Sequence, residues 1–177
     1  MTFEPIAIVG RACILPGANS PEELWDAVVQ GRDLVSSAPD GRWRLNPADV
    51  LTGAESNPAD KTFSDRGGYV RGFDEVFDPN GFALPAESLN GLDQGFLWAL
   101  HCARQALQDA GGVSDRSRVS AIYGNLGFPA EEMTRYAESV WLGENRPDPR
   151  NRFMSSGNAA LLKEALGLGG ESFCLDT

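Results

Sequence analysis

Histidine is almost missing from this chain. His101 stands alone, between Leu100 and Cys102 in a run of helical spacing. No second ligand lies at a metal spacing from it, and no carboxylate or nucleophile pattern surrounds it, so a packed or surface histidine is expected and no metal site. Cysteine is scarce as well. Cys13, Cys102 and Cys174 are an odd number, each in an apolar setting, which fits reduced thiols in a cytoplasmic protein better than a disulfide framework. No run of about 18 apolar residues is present, so no membrane span is expected. Residues 1–5 carry no basic n-region, which argues against a secretory leader. Cations are outnumbered, 15 Lys and Arg against 25 Asp and Glu, for a net charge of −10; nucleic acid, whose phosphates require clustered cations, is an unsuitable partner. An acidic protein partner stays open, because docking depends on local charge. Arg146, Arg150 and Arg152 form one basic cluster, for which a solvated loop is the expected setting. Internal repeats and low-complexity tracts are also absent.

What is present reads as a globular α/β chain. Its 177 residues, 42% hydrophobic and 23% charged, suffice for one domain with a core. Ile6-Ala7-Ile8-Val9-Gly10 is a continuous apolar run, as expected for a strand buried on both faces. Ser20-Pro21-Glu22-Glu23 starts a helix: a capping serine, a proline suited to the first turn, and a glutamate that completes a capping box. Leu24, Trp25, Val28 and Val29 form its expected apolar face, and Gly31 ends it. Residues 33–72 dissolve into Pro, Gly, Asn and Asp with scattered aromatics, an irregular excursion of the kind that serves function or a partner. The strongest periodicity runs over 92–110 and stops at Gly111-Gly112. A buried strand is expected over 119–124. A helix opened by Pro129 follows, with Met133, Tyr136, Ala137, Val140 and Trp141 on one face. A shorter helix over 158–166 feeds a last strand, Phe173-Cys174-Leu175. Strands alternating with helices imply a mostly parallel sheet.

The glycines do not form a phosphate cradle. Gly167, Gly169 and Gly170 follow a helix and open a strand, the reverse of the strand-to-helix order that anion binding needs. Gly10 follows an apolar run but lacks the second and third glycines of a dinucleotide fingerprint. Cys174 sits inside a predicted strand, without a helix N-terminus to lower its pKa, and reads as core. Glu131 and Glu132 fall in a helix's first turn, where carboxylates suit the dipole. The residues alone therefore give an acidic α/β domain with no complete catalytic constellation.

Four stretches nevertheless resemble the N-terminal half of a β-ketoacyl synthase of the large type I class. The first runs from Pro5 through Ile14-Leu15-Pro16-Gly17-Ala18 into Ser20-Pro21-Glu22-Glu23-Leu24-Trp25 and Gly31-Arg32-Asp33. The second is Gly67-Gly68-Tyr69-Val70 with Phe73-Asp74 and Phe77-Asp78-Pro79. The third is Ala106-Leu107-Gln108-Asp109-Ala110-Gly111. The fourth is Leu166-Gly167-Leu168-Gly169-Gly170 leading to Asp176-Thr177. The resemblance covers nearly the whole chain, in order. It departs from the family pattern at Pro85-Ala86-Glu87-Ser88, where Pro-Arg-Glu-Ala is usual, and at Leu92-Asp93-Gln94-Gly95, where Met-Asp-Pro-Gln is usual. Leu97 and His101 replace an arginine and a glutamate, and Ala160-Leu161-Leu162 stands where Gly-Arg-Ile is common. These changes look more like the synthases of polyunsaturated-fatty-acid or iterative polyketide assembly.

The resemblance implies a thiolase-like αβαβα fold, of which residues 1–177 are the first, N-terminal half, completed by a C-terminal half and a dimer mate. It implies acyl transfer from an acyl carrier protein to a cysteine thiolate, then decarboxylative Claisen condensation, with the enolate stabilised by two histidines of the C-terminal half. No cofactor is implied, since substrates ride on the carrier's phosphopantetheine. Asp176 and Thr177 would form the strand end that aims the nucleophile, two residues beyond Thr177, so no catalytic residue is expected within the chain. Ser172, Phe173, Cys174 and Leu175 would lie at the dimer contact. Leu126, Phe128, Phe153 and Met154 would line the acyl pocket or the dimer contact, a local packing cluster being the other reading. Two alternatives stand beside a ketosynthase half: a noncatalytic subunit of the chain-length-factor type, in a ketosynthase-like heterodimer, and a truncated interaction fragment.

Overall fold

The computed structural model describes residues 4–53, 59–124, 130–144, 148–152, 154 and 156–175. Two compact units are present, one of residues 1–12 and 77–177, the other of residues 13–76.

The larger unit holds helices α4 (Gln94–Asp109), α5 (Glu131–Leu142) and α6 (Gly157–Leu166) and strands β1 (Ala121–Gly124) and β2 (Ser172–Leu175). Two 3₁₀ turns accompany them, Ala86–Leu89 before α4 and Pro149–Asn151 between α5 and α6. β1 and β2 pair in parallel, Ala121 opposite Ser172 and Gly124 opposite Leu175. The crossover that a parallel pair requires is supplied by α5 and α6. The periodic run forms α4 as expected. Its apolar positions Phe96, Ala99 and fully buried Leu100 meet Leu162, Ala165 and Leu166 of α6, with Leu89, Leu92, Ala121, Met133 and Leu168 completing one core. Gly157 lets α6 approach α4 closely, since a Cβ there would lie 3.2 Å from the Phe96 ring, tighter than ordinary contact.

The glycine run after α6 is a turn, as its orientation predicts. Gly167 adopts φ 62°, and the Leu168 N–H donates to the Lys163 carbonyl at 2.9 Å, closing the helix in a Schellman motif. Gly169 and Gly170 then donate to the Arg116 and Val119 carbonyls, both at 2.9 Å, so the lead-in to β2 runs hard against the lead-in to β1.

The smaller unit holds α1 (Pro21–Val29), α2 (Pro47–Val50) and α3 (Phe73–Val76), around buried Ala18, Ala27 and Phe73. Ser20 caps α1 by accepting from the Glu23 N–H at 3.1 Å. Glu23 reaches back one residue further than in a capping box, accepting from the Asn19 N–H at 2.7 Å. The irregular excursion belongs to this unit and is closed by its own polar bonds. Ser36 and Gly67 exchange backbone hydrogen bonds, and Arg66 pairs with Asp33 at 2.7 Å while donating to the Val35 carbonyl.

Three sequence expectations about burial are corrected. Residues 6–10 form no strand; Ile6 and Ile8 are 93% and 85% exposed. An apolar run states a need for cover, and among the described residues no strand pairs with this one. The segment is held at its end instead. Gly10 lies so close to α4 that a Cβ would fall 2.1 Å from the Ala106 carbonyl, and the Arg11 N–H donates to Asp109 at 2.8 Å. On α1, Trp25, Val28 and Val29 are exposed, leaving Ala27 as the buried contact. On α5, Met133 and Ser139 are buried, whereas Trp141 is almost fully exposed and Val140 partly so. The strand expected over 119–124 is also shorter: Val119 lies in a turn, its N–H donating to the Arg116 carbonyl and its carbonyl accepting from the Gly170 N–H.

Candidate active-site edge

Because β1 and β2 are parallel and in register, their carboxyl ends, Gly124 and Leu175, lie side by side. Ligands of open parallel sheets collect outside such ends. One face of the pair is packed: Ala121 is buried, and Tyr123, Ser172 and Cys174 are half-buried. Burial, and then the neighbouring Cys102 and Cys174, push the Tyr123 phenol above its ordinary pKa. The other face is apolar and open, with Ile122, Phe173 and Leu175 exposed at 61%, 43% and 52%. Cys174 is thus on the packed face, as expected of a strand thiol, but half-buried and not sealed in a core.

The starts of α4 and α5 are joined by one buried carboxylate, Asp93. Its Oδ1 accepts from the Gly95 N–H at 2.8 Å and caps α4. Its Oδ2 accepts from the Glu132 and Met133 N–H groups at 2.9 and 3.4 Å, the first turn of α5. Ala130, at the N-cap of α5, offers no side-chain cap of its own. The Asp93 N–H donates to Asn151 Oδ1 at 2.8 Å, and Asn151 Nδ2 donates to the Gly91 carbonyl at 2.6 Å. Charged acceptors on backbone N–H groups are among the stronger hydrogen bonds, and helix N-termini favour negative charge. Sequence reasoning missed this cluster. An aspartate just before a periodic run signals an N-cap, but nothing local reveals a second helix 39 residues away.

Of the site residues expected from the resemblance, Leu126, Phe128, Phe153, Asp176 and Thr177 lie outside the described residues, as does Arg146. Met154 is half-exposed; its carbonyl accepts from the Gly157 N–H at 3.0 Å, and its sulfur lies 3.3 Å from Arg152 Nη2. Ser172, Phe173, Cys174 and Leu175 form β2 itself. Arg150 is exposed, as a surface cation is expected to be, but it is tied down. It grips Asp148 through Nε and Nη2, and donates to the Ser88 carbonyl and, at 2.9 Å, to the Asn90 carbonyl. Arg150 accordingly holds the Asp148 carboxyl below the usual carboxylate range. Glu131 and Glu132 pair with Arg135 at 2.6 and 2.9 Å, in keeping with a helix's first turn. His101 is buried against the Phe77 ring, and burial, then Arg104, lowers its pKa. Among the described residues, no group of three or more His, Cys, Asp or Glu could hold a metal ion, and no helix is long and apolar enough to cross a membrane. A groove of about 300 Å³ between the starts of α4 and α6 is lined by Leu84, Leu92, Phe96 and Leu161, with Arg150 and Glu164 at its polar side.

Comparison with known proteins agrees with this architecture. The profile of the "Beta-ketoacyl synthase, N-terminal domain" matches residues 3–177. Polyketide synthase GfsB of Streptomyces halstedii is 32% identical over 182 residues, covering 98% of this chain and 3% of that protein. Mycoketide-CoA synthase of Mycobacterium tuberculosis is 39% identical over 111 residues, covering 61% of this chain and 3% of its own length. Among solved structures, the PfaC keto synthase–chain length factor superposes with TM-score 0.86 at 28% identity, over 97% of this chain and 21% of that one. The oxazolomycin ketosynthase domain OzmH KS7 of Streptomyces albus JA3453 superposes with TM-score 0.70 at 21% identity, over 96% of this chain and 28% of its own. The chain therefore spans a few per cent of these synthases and a fifth to about three tenths of these solved chains. The fold is that of the first half of a thiolase-like ketosynthase domain.

Proposed function

The chain belongs to the β-ketoacyl synthase family, whose N-terminal domain it carries, and from that premise we propose that it serves as the first half of a condensing enzyme of polyketide or fatty-acid assembly. The observation that carries the proposal is the register of β1 and β2. Two parallel carboxyl ends stand together, and β2 leads toward the position where the family places its nucleophile. In this reading the intact protein takes an acyl group from the phosphopantetheine of an acyl carrier protein and condenses it with a decarboxylating extender, without a further cofactor and in the cytoplasm. Asp176 and Thr177 aim the nucleophile, and Leu126, Phe128, Phe153 and Met154 line the acyl path. Ser172, Phe173, Cys174 and Leu175 meet a second ketosynthase-like subunit. The open apolar face of Ile122, Phe173 and Leu175 supports a covering element there, since exposed apolar patches of this kind commonly mark contacts.

A second reading, a noncatalytic chain-length-factor type of subunit, is favoured by the likeness to the PfaC structure, whose name joins both functions. The test is acylation of the intact protein by an acyl thioester, read by intact mass. An adduct lost on changing the cysteine two positions beyond Thr177 to alanine supports the enzyme. Absence of an adduct, with another residue at that position, supports the noncatalytic subunit.

A further inference from the structure

We propose that Asp93 is a positioning residue for the reaction, setting the placement of α5 relative to α4 at the carboxyl edge of the sheet; this rests on the ketosynthase reading above. A single helix cap needs one acceptor oxygen and a local residue, commonly the one preceding the helix. Asp93 does more than that. Oδ1 serves α4, while Oδ2 serves the Glu132 and Met133 N–H groups of α5. Its own N–H is held by Asn151, which in turn holds the Gly91 carbonyl. Asp93 and Asn151 are 1% and 0% exposed. Three segments thus meet at one residue: the starts of α4 and α5 at its carboxylate, and the Pro149–Asn151 turn that precedes α6 at its backbone N–H.

The placement matters because α5 follows β1, and β1 ends opposite the end of β2. If α5 needed only stability, a cap at Ala130 would supply it. That residue already has extended backbone, φ −80° and ψ −170°, and is exposed, so a serine or aspartate would fit there. The chain instead reaches across to a second helix, which fixes relative position as well as helix ends. Tethering of this kind preorganises a site, and misplacement of about 1 Å at a reacting centre can cost on the order of 100-fold in rate.

Two variants separate positioning from stability in the intact protein. Asp93→Ser keeps a cap for α4 but is too short to reach α5. Adding Ala130→Asp gives α5 a cap of its own while leaving the two helices untethered. Acylation by acyl thioesters of increasing chain length is followed by intact mass, beside thermal unfolding. The expected result is that Asp93→Ser lowers both the melting temperature and the acylation rate. The double variant should recover the melting temperature but stay at least about tenfold slower than wild type, with an altered chain-length preference. Recovery of both rate and preference in the double variant would reduce Asp93 to a helix cap and overturn the inference, leaving the ketosynthase reading intact. A wild-type protein that accepts no acyl group would instead overturn that reading, and this inference with it.

Discussion

Replacing Gly170 by alanine tests the joint on which the register of β2 depends. A Cβ at Gly170 would lie 2.5 Å from Ser120 Oγ and 2.6 Å from the Val119 carbonyl oxygen, and the Gly170 N–H already donates to that same oxygen at 2.9 Å. The serine hydroxyl can rotate away, but the carbonyl belongs to backbone and cannot. Relief requires the two lead-ins to separate by roughly 1 Å toward ordinary van der Waals contact. Overpacking of a fixed site costs about 1–3 kcal/mol, and the weakened hydrogen bond adds about 1 kcal/mol. Stiffening of the unfolded chain by alanine offsets about 0.4–1 kcal/mol only where the native conformation accepts it. The expected net loss is about 2–3 kcal/mol, a drop of about 5–10 °C in Tm for a protein of this size.

The matched control is Gly124→Ala at the end of β1, where an added Cβ meets nothing within 4 Å. It should lie within about 0.5 kcal/mol of wild type. Thermal unfolding by circular dichroism, with all three proteins at equal concentration, reads the difference. If Gly170→Ala melts with the control, the lead-ins do not touch as described. The glycine run would then be free for some role other than a close-packed turn.

His101 gives an acid-side signature. Its folded pKa is lowered by burial and by Arg104, so the unfolded chain binds a proton that the folded chain refuses. Stability is therefore fully present above the ordinary imidazole value of about 6.5 and is lost as pH falls from there toward the folded value. Urea unfolding at about pH 7.5 and about pH 5.5 should show a smaller loss on acidification in His101→Leu than in wild type, and equal losses would refute the buried neutral histidine. In sedimentation velocity the 177-residue chain should self-associate through the face of Ile122, Phe173 and Leu175, and Phe173→Lys with Leu175→Lys should shift it toward monomer; a monomeric wild-type chain would count against that contact. The 177-residue chain alone should neither condense nor accept acyl groups, and acyl transfer to it that disappears in Cys174→Ala would show that the half-buried strand thiol is the nucleophile after all.

The elements legible in the sequence are those whose causes are local. Ser20 and Pro21 open α1, the apolar period of residues 92–110 gives α4, and Gly167 closes α6; each needs only neighbours within a turn. Orientation was local too: glycines after a helix and before a strand make a turn, and Gly169 and Gly170 sit where no side chain fits. Cover was not local. Ile6, Ile8, Trp25 and Trp141 carry the pattern of buried positions yet are exposed, because period and polarity record a demand for contact without naming what meets it. The same limit hid Asp93, whose two oxygens answer to helices that begin far apart in sequence, and Arg150, whose carbonyl partners Ser88 and Asn90 lie about sixty positions away. Among the described residues, these long-range polar ties join segments that the apolar pattern leaves unrelated. Hydrophobic contact is non-directional and would leave the starts of α4 and α5 free to shift relative to one another. A carboxylate shared between the two helix starts ties them together, and the hydrophobic pattern could not announce it.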